Sequence, residues 1–224
     1  MKKYLVYSVV AVLSISLSLC GCKKDEDTEN SELNKEVVET VTDNSDNEIR
    51  KLTENHIDAV INLTNGEKIN IELYPDLAPK TVANFIKNVQ ENFYAGTIFH
   101  RAISGFVVQC GGYDTNYNLK SVSETVEGEF ESNGYENPLS HERGVLSMAR
   151  IPSQPNSATT QFFIVQGDSQ YLDGDYAAFG KVKTGMVVVD NIANSGIMEN
   201  PPSGMQDVPE EQFIIESIEI ENQN

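Results

Sequence analysis

The sequence predicts a mainly β domain, a closed antiparallel barrel capped by two helices, behind an N-terminal leader. Three observations predict it. From His56 onward, short apolar-alternating runs recur between turn residues, as half-buried strands do. Asn65-Gly66 joins the first two runs and is a hairpin signal, because both residues tolerate positive φ. Only two segments, one opening at Pro79 and one at Gly185, read as helices.

In chain order, HIDAVINL and KINIELYP form the first hairpin. Pro79 then stands where proline favours a helix start, and Val82, Phe85, Ile86 and Val89 follow at i, i+3, i+4 and i+7, one apolar stripe that covers the barrel. Short strands are predicted at Phe99–His100, Phe106–Gln109, Val145–Ala149, Gln161–Val165 and Ala178–Val182. A short helix spans Gly185–Ala193. A last strand runs over Phe213–Ile220, where Ile218 and Ile220 alternate against Glu219. Glu127, Glu129 and Glu131 also alternate, and read as a solvated face.

The chain divides into residues 1–21, 22–54 and 55–222. The first segment sets Lys2 and Lys3 before a short apolar run and ends at Leu19-Cys20-Gly21-Cys22, the layout of a secretory signal. That ending resembles the bacterial lipobox, which assigns Cys22 as a lipidation site and implies attachment to the outer face of a bacterial cell membrane. Residues 23–55 contain no aromatic residue, glycine or proline and are dense in Asp, Glu, Asn, Thr and Ser. Such a stretch buries too little apolar area to offset chain entropy and is expected to be a tether, reaching about 30 Å, with a transient helix within residues 31–41.

The formal charge is −18, and removal of residues 1–21, which hold two lysines and no acid, leaves −20. This opposes binding to nucleic acid or to an anionic lipid surface. Cys110 is then the one cysteine of the folded part, too few for an internal disulfide, and is expected to be a small buried thiol. His56, His100 and His141 are widely spaced with no HExxH or paired-cysteine pattern, so no metal is expected. Asp173-Gly174-Asp175 lacks the order of a calcium loop.

The stretch most charged with information is FHRAISGFVVQCGG, Phe99 to Gly112, followed by GVLSMAR at Gly144, ATTQFFIVQGD at Ala158 and YLDGDYAAFGKV at Tyr171. These ordered motifs resemble the cyclophilins, peptidyl-prolyl cis/trans isomerases, over roughly residues 57–189. The resemblance implies an eight-stranded barrel and catalysis of rotation about Xaa-Pro bonds. That reaction makes and breaks no covalent bond; its barrier of about 18–20 kcal/mol is the loss of amide resonance. It needs no nucleophile, metal or cofactor, only an apolar slot for the ring, a clamp on the backbone and a group that stabilises the twisted amide.

Arg101 is the candidate for that last role, donating to the prolyl nitrogen as its lone pair localises. By resemblance Gln109 orients the arginine and binds substrate backbone. Phe106, Val107, Phe163 and Leu172 wall the proline slot, Ala149 and Arg150 form the edge beside the substrate backbone, and Gln161 lines the groove. Tyr171 stands where many eukaryotic members carry tryptophan, and Tyr176 where they carry histidine. Since that tryptophan donates its indole N–H to cyclosporin in the family, weak binding of the drug is expected here. The expected partners are proline-containing polypeptides exported from the cell, bound by a monomer.

Overall fold

The computed structural model of the 224-residue chain describes residues 47–120 and 122–221. The signal segment, Cys22 and the expected helix within residues 31–41 lie outside them. Regular structure begins earlier than the boundary at residue 55: residues 47–54 form a helix, α1, whose Leu52 packs against the core. The apolar pair Ile49 and Leu52 gives this end of the acidic stretch something to bury.

Eight antiparallel strands follow, β1 (Ile57–Leu63), β2 (Lys68–Leu73), β3 (Arg101–Ala102), β4 (Val107–Cys110), β5 (Val145–Met148), β6 (Phe162–Val165), β7 (Ala178–Thr184) and β8 (Ile215–Ile220). Two more helices, α2 (Pro79–Gln90) and α3 (Met186–Ala193), complete the fold. The α-helices therefore number three among the described residues, one more than expected, beside two short 3-10 turns at Glu131–Asn133 and Gln170–Leu172. At the β1–β2 turn Gly66 takes φ 87°, and Asn65 contributes through its side chain, accepting the Glu67 N–H at 3.0 Å.

The strands order as β3-β4-β6-β5-β7-β2-β1-β8 in one curled sheet. It falls short of the expected closed barrel, because the edge strands β3 and β8 do not form a ladder. Their flanks meet at one bridge, Ile98 to Ile214, supported by Phe99 N–H to Phe213 O at 3.0 Å and Ile215 N–H to Thr97 O at 2.8 Å. The strand expected at Phe99–His100 falls at Arg101–Ala102, and there the Ala102 N–H donates to Asp207 O at 2.8 Å.

Period-two alternation sorts the side chains onto two faces. Ala59, Ile61, Leu63, Ile69 and Ile71 point into the curl, with Val108, Leu146, Phe162 and Ile164 from the other strands. The α2 stripe inserts Phe85 among Tyr94, Phe162 and Phe179, ring centroids 5.3–5.4 Å apart. Cys110 is buried there as expected, and burial pushes its thiol well above the ordinary range. On the opposite face a smaller cluster gathers Val107, Val145, Phe163, Val165, Leu172 and Ala178. The candidate site lies on this second face.

One acidic expectation is corrected. Glu129 is buried, 1% exposed, rather than solvated. The start of α2 has no side-chain cap at Ala78 and no acid in its first turn. Glu129 fills that gap from a distant loop, accepting the Lys80 N–H at 2.9 Å and the Thr81 N–H and Oγ1 at 2.8 and 2.6 Å. A carboxylate at a helix N-terminus satisfies orphan donors and opposes the dipole.

Candidate active site

Strand register builds the site. Arg101 pairs with Gln109 across β3–β4, Gln109 with Phe163 across β4–β6, and Phe163 with Ser147 across β5–β6. Paired residues share a face, so one row places a guanidinium, a carboxamide and an aromatic ring side by side. Above Phe163 opens a hollow of about 210 Å³. Phe106, Val107, Phe163 and Leu172 supply its apolar wall, Arg101 and Gln109 one polar rim, and Ala149, Arg150 and Tyr176 the other. Pro152, which the sequence reading did not single out, completes it.

The slot is held from behind by a polar network. His141 stacks on Phe163, centroids 6.1 Å apart. Its Nδ1 lies 2.8 Å from Asp173 Oδ1 and its Nε2 3.0 Å from Ser147 Oγ. His141 is 1% exposed, and burial holds its pKa below the ordinary value. A neutral ring then donates from Nδ1 to the carboxylate and accepts the serine hydroxyl at Nε2, so the ring under Phe163 is locked on both edges.

Arg150 is held rigidly at the rim of the slot. Its guanidinium lies between the rings of Phe130 and Tyr176, 5.0 and 4.7 Å from their centroids. Its Nε donates to Asp175 O at 2.8 Å, and Nη1 to Ile151 O and Pro152 O. Tyr171 stands outside the slot, 72% exposed, stacked on the outer face of Phe106 at 5.7 Å.

Gln161 borders a second hollow of about 260 Å³ on the far side of Arg101 and Gln109, with His100, Tyr113 and residues 204–206. It accepts the Gln109 Nε2–H at 2.9 Å. The resemblance gave Gln109 the task of orienting Arg101, yet the hydrogen bond Arg101 makes runs elsewhere: Nε donates to Asp207 Oδ2 at 3.2 Å. Asp207 had no signal in the sequence, being 106 residues away in an irregular loop. His100, beside Arg101, is buried against Tyr113 at 4.7 Å. Burial, reinforced by the Arg101 charge, pushes its pKa down to about 4, so the ring is neutral near pH 7 and leaves Arg101 as the cation over the slot.

Among the described residues, His56, Asp58 and Glu72 offer ligand atoms within 4.8 Å of one another. Sequence spacing hid them, since Asp58 and Glu72 meet only through the β1–β2 register. Lys183 Nζ sits 3.1 Å from Asp58 and 3.3 Å from Glu72. This cluster lies on strands remote from the Arg101 row.

A shallow apolar slot beside one oriented guanidinium suits a small ring joined to an amide, with charge placed where a lone pair localises. Residues 59–220 match the family of cyclophilin-type peptidyl-prolyl cis-trans isomerases. A peptidyl-prolyl cis-trans isomerase of Acinetobacter baylyi is 45% identical over 167 residues, 72% of this chain and 84% of that protein. Peptidyl-prolyl cis-trans isomerase B of Escherichia coli is 41% identical over 165 residues, 70% and 96%. A crystal structure of a cyclophilin-type peptidyl-prolyl cis-trans isomerase from Cryptosporidium parvum is similar at TM-score 0.62 and 26% identity, covering 76% of this chain and all of that one. A second, in the presence of the dipeptide Ala-Pro, matches at 0.60 and 26%, covering 74% and 99%. Fold, groove and sequence agree, and the chain belongs to the cyclophilin-type peptidyl-prolyl cis-trans isomerases.

Proposed function

We propose that this isomerase acts outside the cytoplasm on Xaa-Pro bonds of exported polypeptides, held at the membrane by a lipid on Cys22. The observation that carries the site is the Arg101–Gln109–Phe163 row over the apolar slot. The proline ring enters against Phe106, Val107, Phe163 and Leu172, while Arg101 donates to the prolyl nitrogen as twisting returns its lone pair. Gln109 and the Ala149 edge hold the flanking backbone. The Ala-Pro dipeptide with the structural relative supports a proline ligand of this kind.

The export reading is supported by the basic start, the apolar run and Leu19-Cys20-Gly21-Cys22. The acidic stretch that follows keeps the domain hydrated and clear of an anionic surface. Expressed in a bacterial host, the full chain is expected to sediment with membranes and take up labelled fatty acid. Cys22→Ala abolishes labelling and Cys20→Ala does not; labelling that persists in Cys22→Ala overturns the anchor assignment.

Cyclosporin is expected to bind weakly. Tyr171 presents a hydroxyl, on an exposed ring, where an indole N–H would serve the drug. At so exposed a position the lost hydrogen bond costs about 0.5–1.5 kcal/mol, or roughly two- to twelvefold. Titration of the wild type and Tyr171→Trp reads this difference; equal affinities overturn it.

A further inference from the structure

We infer, on the reading of Arg101 given above, that Asp207 is a positioning residue for the reaction: its carboxylate fixes the plane of the Arg101 guanidinium over the proline slot. Nε donates to Asp207 Oδ2 at 3.2 Å, which engages that nitrogen and leaves the two Nη groups to face substrate. An arginine has many rotamers, and stabilisation of a developing lone pair needs one of them. A donor already aimed at the reacting atom contributes more than one that must be ordered during the reaction.

The placement of Asp207 is built into the fold. Its carbonyl accepts the Ala102 N–H at 2.8 Å, one residue beyond Arg101, so the loop is tied to the backbone of β3. The neighbouring Val208 is buried, and its carbonyl accepts the Met198 N–H at 2.9 Å. Pro209 bridges to Ile197. Asp207 itself takes φ 55°, a left-handed conformation that Asp, Asn and Gly adopt far more readily than other residues. This one loop residue thus holds both the β3 backbone and the Arg101 side chain.

The contact has little to do with stability. Arg101 and Asp207 side chains are 35% and 38% exposed, so solvent screens the pair and its contribution to folding is small. The carboxylate also offsets part of the Arg101 charge, which by itself weakens the catalyst. An acid set beside that cation is accounted for by orientation rather than by charge.

The test compares the full chain with Asp207→Gly, Asp207→Asn and Arg101→Ala. Turnover and KM for a Xaa-Pro peptide are measured by NMR exchange, and the Arg101 Nε–H resonance is followed by ¹⁵N NMR. Glycine keeps the left-handed backbone and removes the acceptor; asparagine keeps both the backbone and an acceptor oxygen. Asp207→Gly is expected to lower kcat about ten- to hundredfold with KM changed less than about twofold, and to expose the Nε–H to rapid exchange. Asp207→Asn stays within about threefold of wild type in kcat and keeps the Nε–H protected. Unchanged kcat in Asp207→Gly overturns the inference, as does an equal loss in both Asp207 variants, which traces the effect to the loop. Unchanged kcat in Arg101→Ala overturns the reading of Arg101 itself.

Discussion

At the scale of single residues, environment decides what each titratable group does. Arg101 and His100 are adjacent in sequence, yet Arg101 borders the slot while His100 is buried against Tyr113 beside the second hollow. Burial lowers the His100 pKa to about 4 from 6.5, so the unfolded chain binds more protons than the folded one between those values. Stability is therefore full above about pH 6.5 and falls as pH drops toward 4. The buried His141 acts in the same direction. Urea unfolding is expected to show about 2 kcal/mol less stability at pH 5 than at pH 7 from His100 alone. His100→Gln should lack that part of the slope; a variant with the wild-type slope contradicts the assignment. Environment likewise fixes Arg150, which lies between Phe130 and Tyr176 at the rim of the slot.

At the scale of elements, α2 shows how a local pattern and a distant residue share one task. Its stripe was readable from spacing, and Val82 and Phe85 are buried where the pattern put them. Its start was not readable, because the cap comes from Glu129 in another segment. Glu129→Ala leaves two amides and a hydroxyl without an acceptor in a buried place. We expect a loss of about 2 kcal/mol in urea unfolding, with Glu129→Gln intermediate because one amide oxygen replaces two carboxylate oxygens. A loss under about 0.5 kcal/mol contradicts the capping role. Edge strand β3 makes the complementary point. Only two residues long, it pairs with β4 on one side and is tied to Asp207 on the other.

At the scale of the whole molecule, the fold was legible because its strands alternate apolar and polar residues, and the groove because its residues sit in short ordered motifs. The resemblance named Arg101, Val107, Gln109 and Phe163, and strand register sets Arg101, Gln109 and Phe163 in one row. What stayed hidden depends on contacts between distant segments that no local period encodes. Asp207, Glu129, Lys183 and the helix at residues 47–54 all belong to that class. Gln161 was identified as groove-lining, but its place beside the second hollow follows from its bond with Gln109. On the proposed role of Arg101, one oriented guanidinium lowers the barrier to rotation in the slot with no covalent chemistry. The direct measurement is kcat/KM of Arg101→Ala for a Xaa-Pro peptide, taken alongside its melting temperature. A partly exposed arginine adds little packing, so the melting temperature should be nearly unchanged while kcat/KM falls about a hundredfold. Wild-type kcat/KM in that folded variant would contradict the account.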